Sequence, residues 1–68
     1  MINWQQCALN LRGAMPLRRV ARRVGMDEGT LRRLARGETQ EPKFVAGVLL
    51  LDLHLQLCAD RHAGLMQV

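Results

Sequence analysis

A chain of 68 residues, 49% hydrophobic and carrying a net charge of +4, makes one small domain, expected to span residues 1–68. It has no length to spare for an enclosed substrate pocket, and it has neither serine nor tyrosine, so an enzyme is not expected. Only Trp4 and Phe44 are aromatic, which leaves a core of Leu, Val, Ala and Met, a composition that favours helices over strands.

The charge is unevenly spread. Residues 1–36 carry eight arginines against Asp27 and Glu28, a balance of +6; residues 37–68 carry Lys43 and Arg61 against Glu38, Glu41, Asp52 and Asp60, a balance of −2. A basic half backed by a leucine-rich half suits a polyanion-binding face on a scaffold, although an arginine surface kept for solubility has the same composition. Nine of the ten basic residues are arginine, whose planar fork matches phosphates and guanine edges.

Cys7 and Cys58 are far apart and make no disulfide framework; they read as buried, reduced thiols of a cytoplasmic protein. The start, MINWQQ, lacks a basic segment followed by an apolar run. The longest apolar run, Phe44 to Leu51, contains a glycine and is too short to cross a membrane, so no membrane partner is expected.

In chain order, Asn3 and Gln6 have the spacing of a capping box, and Trp4, Cys7 or Ala8, and Leu11 give one apolar stripe. A first helix over about Trp4 to Arg12 follows, with Gly13 just past its end. Pro16 is placed to open a second helix whose inner positions are Leu17, Val20, Ala21 and Val24, with Arg18, Arg19, Arg22 and Arg23 outside. Gly25 ends it, Met26 folds back under the turn, and Asp27 caps a third helix from about Glu28 to Arg36. Leu31, Leu34 and Ala35 are its inner positions, and Gly37 stops it.

After a polar loop, Pro42 opens a fourth helix over about residues 42–57, with leucine on so many sides that it should be buried on more than one. Leu50, Leu53 and Leu57 line either a satellite core under the C-terminal tail or a homodimer seam, and the seam is preferred. The strict alternation Leu51-Asp52-Leu53-His54-Leu55-Gln56-Leu57 also fits a strand, with residues 60–64 as a turn. Helix is preferred, because leucine is a weak strand former and no breaker interrupts the pattern. Residues 58–68 are a short fifth helix or a tail.

The spacing Val20-Ala21-x3-Gly25-Met26-x4-Leu31-x2-Leu34 is the packing code of a helix-turn-helix, here about residues 16–36. Ala21 is small where the second helix crosses the first, Gly25 can take positive φ in the turn, and the larger apolar residues fill the wedge. An αα-hairpin that never meets DNA would keep these residues too. It would not need Arg32, Arg33 and Arg36 on the outer side.

The continuation Leu34-x2-Gly37-x-Thr39-x2-Pro42-Lys43-Phe44 resembles the DNA-binding domains of lambdoid phage repressors and Cro proteins. The resemblance covers about residues 15 to 50, and implies a compact all-α, lambda-repressor-like fold of four to five helices. It implies base reading by Glu28, Gly29, Thr30, Arg32 and Arg33 in the major groove. It implies phosphate contacts by Arg36, Thr39, Gln40 and Lys43, and by the backbone N–H groups of Lys43 and Phe44 at a helix start, with the Phe44 side chain itself expected in the core. Arg18 or Arg19 would stand in for the glutamine that the family carries where this chain has Leu17. Glu38 and Glu41 depart from a loop that is often basic in relatives. Glu28 is a further departure at a base-reading position, where it could accept from cytosine or position an arginine.

His54, Cys58 and His62, at i, i+4 and i+8, could hold a transition metal, but satisfied histidines beside a core cysteine are the commoner arrangement, and neither metal nor cofactor is expected. The functional expectation is a sequence-specific, double-stranded-DNA-binding transcriptional regulator, a Cro-like small repressor of phage or prophage type acting as a homodimer without a small-molecule substrate. The alternative is a protein-interaction module, an antitoxin or adaptor, working through the leucine-rich fourth helix.

Overall fold

A computed structural model describes residues 2–38 and 41–66, and it is a small all-α domain. Helix α1 spans Trp4–Ala14, α2 Leu17–Val24, α3 Glu28–Ala35, α4 Phe44–Leu57 and α5 Ala59–His62, followed by a 3₁₀ turn at Ala63–Met66. No helix of the described residues is long and apolar enough to cross a membrane.

α1 is the central element, packed against α2, α3 and α4. Asn3 caps it, its side chain accepting the Gln6 amide at 3.1 Å. The expected capping box is only half made. The Gln6 side chain runs forward to Asn10 Oδ1 at 2.8 Å, and the Asn3 N–H donates to the Leu65 carbonyl at 2.9 Å, tying the 3₁₀ turn to the start of the chain. α1 also passes through Gly13 instead of ending before it, and stops at Met15, whose N–H bonds to Leu11 O. Nothing past Gly13 requires left-handed backbone there; among the described residues only Gly25 and Gly37 have positive φ.

The inner positions of α2 and α3 are those the spacing predicts: Leu17, Val20, Ala21, Val24, Leu31, Leu34 and Ala35 are buried. They share a core with Cys7, Ala8 and Leu11 of α1, Leu50 and Leu53 of α4, and Cys58 and Leu65. Pro16 stands just before α2, and α4 begins two residues after Pro42, with Lys43 in extended backbone as its N-cap.

The preference for helix over strand after Leu51 is met, and two other expectations about α4 are corrected. The alternating run from Leu51 is helical throughout, because main-chain pairing within α4 satisfies every turn without a second strand. Phe44, expected in the core, is 84% exposed, because it lies on the side of α4 turned away from Leu50 and Leu53. Leu50 and Leu53, expected on a dimer seam, are instead 0% and 4% exposed and belong to the protomer's own core; of that trio only Leu57 is exposed. With apolar residues all round, α4 gives no local sign of which side turns inward. Gly47 decides it: a Cβ there would lie 3.1 Å from the Trp4 ring and 3.3 Å from Pro42, so this side docks closely on α1.

A buried polar chain joins α1, α4 and α5. Asn10 Oδ1 accepts from Gln6 Nε2 and Asn10 Nδ2 donates to His54 Nε2 at 2.9 Å, while His54 Nδ1 lies 3.0 Å from His62 Nδ1. Cys58 breaks α4 at φ −132° and ψ 46°, and that bend returns His62 to the His54 ring.

Candidate nucleic-acid interface

The turn between α2 and α3 is built locally. Gly25 ends α2 at φ 69°, ψ 33°, and the N–H groups of Gly25 and Met26 both reach the Ala21 carbonyl. No other atom lies near enough to crowd a Cβ, so the requirement for glycine is conformational, not steric. Met26 packs half-buried on the core, as expected. Asp27 then caps α3, its Oδ2 accepting the Thr30 amide at 3.1 Å.

At the other end of α3 the chain closes in a Schellman motif. Gly37, at φ 78°, donates to Leu34 O, and Glu38 donates to Arg33 O. Gln5 of α1 supplies the remaining partner, its Nε2 donating to the Ala35 carbonyl at 3.2 Å. The Gln5 amide sits so close over Gly37 that a Cβ would meet it at 3.2 Å. α3 is thus held at both ends by specific contacts, which presents its outer side as a rigid rod.

With Leu31, Leu34 and Ala35 inward, Arg32, Arg33 and Arg36 are exposed on the other side, and Glu28, Gly29 and Thr30 are half-buried in the first turn. Two of the three arginines carry a counter-charge. Glu28 Oε2 accepts from Arg32 Nε at 3.0 Å and also from Arg32 Nη2, and Glu38 meets Arg36 Nε at 3.0 Å. Among the described residues Arg33 has only the Thr30 hydroxyl, at 3.5 Å.

α2 is different. Arg18, Arg22, Arg19 and Arg23 form two i, i+4 columns on its exposed side, and none has a carboxylate partner among the described residues. Such like-charge columns weaken a helix by roughly 0.2–0.5 kcal/mol per pair. Arg22 and Arg23, not expected at the site, therefore join Arg18 and Arg19 as its main source of positive potential. Their i, i+4 spacing from those residues was the available signal.

Among the described residues no side chain caps the start of α4, and the first amide used within the helix is that of Gly47, bonded to Lys43 O at 2.8 Å. The first-turn N–H groups and the exposed Lys43 side chain are thus free to meet an anion. Thr39 and Gln40 lie outside the described residues.

The remaining chemistry-bearing side chains are elsewhere. No three His, Cys, Asp or Glu side chains converge among the described residues. His54 is fully buried, its pKa lowered by desolvation first and by His62 next. Cys7 is fully buried and pushed up to about 12 by desolvation and by the nearby Cys58. The Cys58 thiol donates to the Asn10 carbonyl at 3.7 Å.

Comparison with protein-family models, curated proteins and solved structures finds no match for this chain.

Proposed function

We propose that the chain is a sequence-specific double-stranded-DNA-binding regulator, a small Cro-like repressor acting in the cytoplasm, and not an enzyme. The observation that carries this reading is the α2 quartet Arg18, Arg19, Arg22 and Arg23, without a carboxylate partner among the described residues, on the outer side of a helix-turn-helix whose second helix presents Arg32 and Arg33. α2 supplies the phosphate-binding charge. α3 supplies the donors and acceptors that read bases, namely Glu28, Thr30, Arg32 and Arg33, with Gly29 leaving room for close approach. Lys43 and the open amides of α4 take one further phosphate.

Selection of bound duplexes from a random pool, combined with a salt titration, tests the proposal. The selected sequences should share a motif, and Arg18→Ala combined with Arg22→Ala should weaken all duplexes alike while lowering the salt slope by about 2. Absence of salt-sensitive binding to any duplex would end this reading. The alternative, an antitoxin or adaptor working through α4, would then be favoured, because α4 leaves apolar side chains exposed.

A further inference from the structure

Two imidazoles meet where the chain leaves α4. His54 is fully buried, and its Nδ1 lies 3.0 Å from Nδ1 of the half-buried His62, which the bend at Cys58 brings back to it. The ring centroids are 5.2 Å apart, close to that gap plus two ring radii, so both nitrogens lie nearly on the line between the rings. Lone pairs that point at each other suit one shared N–H···N bond. They do not suit a metal, on which they would have to converge from one side.

The segment that carries His62 is lightly held. α5 is four residues long, with no buried residue and, among the described residues, no side-chain cap. A helix that short does not persist without tertiary contacts. Beyond it Leu65, 1% exposed, packs into the core, and its carbonyl accepts the Asn3 N–H at 2.9 Å. A cleft of about 400 Å³, lined by Asn10, Gly13, Cys58 and Arg61, runs between α1 and α5.

We propose that the His54–His62 bond is an acid-released catch: protonation of the pair frees residues 59–66 from α1 while α1 to α4 stay folded. In the neutral pair His54 donates from Nδ1 and His62 accepts, carrying its own proton on Nε2. A proton added at His62 Nδ1 sets two N–H groups face to face. His54 cannot turn its proton away, because the Asn10 amide, fixed by Gln6, donates to its Nε2. Attraction is thus replaced by repulsion beside a buried ring.

The groups around the pair leave that charge uncompensated. On α5, His62 and Arg61 oppose a charged His54 and Asp60 favours it. On α4, the Cys58 thiol is turned to the Asn10 carbonyl, and the exposed Asp52 accepts from Gln56. α1 brings the neutral Asn10 amide, and the Cys7 thiol turned to the Leu50 carbonyl; α2 buries Leu17, Val20, Ala21 and Val24. Among the described residues no carboxylate pairs with either ring. Once released into water, His54 takes up a proton more readily than when docked, so docking is favoured at neutral pH and lost as pH falls through the depressed docked value.

The catch is independent of DNA binding. Amide hydrogen exchange of the whole chain, followed by NMR from pH 8 to pH 5 and corrected for intrinsic rates, tests it. The amides of Asn3 and Arg61, bonded to the Leu65 and Cys58 carbonyls, report on the segment, and those of Leu11 and Leu34 on the core. At pH 8 the first two should be the less protected, and their protection should fall at least about tenfold by pH 5 while staying insensitive to low urea. His62→Gln keeps an acceptor for His54 but takes up no proton, and should leave a fall of about threefold or less. Asn3 and Arg61 protected as fully as Leu11 and Leu34 would show that the segment opens only with the whole domain, and would overturn the catch. So would protection unchanged by pH, or a fall that His62→Gln leaves at full size.

Discussion

Glu28 and Arg32 are joined through one edge of the guanidinium: a single carboxylate oxygen, Glu28 Oε2, accepts from both Nε and Nη2 of Arg32. The opposite edge, Nη1 with the outer N–H of Nη2, is left facing away, and that edge matches the O6 and N7 acceptors of guanine. On the DNA-binding proposal, Glu28 would aim Arg32 and would not itself accept from cytosine. Arg32→Ala should cost about 1–3 kcal/mol on the selected duplex and relax one position of its motif. Glu28→Gln should relax the same position while strengthening binding to random duplexes, since it removes a negative charge. Parallel duplex selections with both variants check this; a Glu28→Gln motif identical to that of the parent would refute the aiming role. As an exposed pair, the two contribute only about 0.3–0.5 kcal/mol to folding.

Stability should depend on pH through His54. Asn10 gives its Oδ1 to Gln6, so its Nδ2 donates to His54 Nε2, and the ring proton therefore sits on Nδ1, pointing at His62 Nδ1. A second proton would have to enter against the Asn10 amide. Burial, then His62, and then Arg61 hold the His54 pKa below its ordinary 6.5, while Asp60 pulls the other way. Because the unfolded chain binds this proton more readily, the stabilisation is complete above pH 6.5 and is lost as pH falls from there through the depressed folded value. Urea titrations at several pH values should show a plateau above that point and a decline below it. In His54→Leu the decline should shrink, and at high pH the variant should lose about 1–3 kcal/mol through the unpaired Asn10 amide. An equal acid decline in parent and variant would show that other groups dominate.

The glycines should respond with opposite signs. Gly25→Ala forces a Cβ into left-handed backbone and should cost about 1–2 kcal/mol, with no steric addition. Gly37→Ala carries that cost and also displaces the Gln5 amide from the end of α3, so it should be the more damaging. Gly13→Ala, within α1 and in open space, should stabilise by about 0.5–1 kcal/mol. Thermal melts of the three variants provide the comparison, and a destabilised Gly13→Ala would contradict the α1 boundary.

Cys7 should be chemically silent in the native state. It is fully enclosed, bonds weakly to the Leu50 carbonyl at 3.9 Å, and its pKa of about 12 leaves almost no thiolate at neutral pH. Thiol labelling at pH 8 should therefore track global unfolding and accelerate in step with urea. Labelling in the absence of urea faster than unfolding would show that α1 and α4 separate locally.

Much of the helix-turn-helix is legible in the residues because its determinants are local. Gly25 and Gly37 occupy positions where only left-handed backbone closes the turn, Asp27 caps its own helix, and α2 and α3 each have polar residues on all but one side. Their inner positions, and the outward direction of Arg32 and Arg33, follow from periodicity alone. α4 is the contrary case. Phe44, Val48, Leu50, Leu53 and Leu55 are chemically alike, so their apolar character alone does not state which of them meets the core. Only the close fit of Gly47 against Trp4, and the reach of Asn10 to His54, turn Leu50 and Leu53 inward and leave Phe44 and Val48 out. Local backbone preference is encoded residue by residue; the choice among equally apolar faces is made by packing between helices, and that choice exists only in the folded domain.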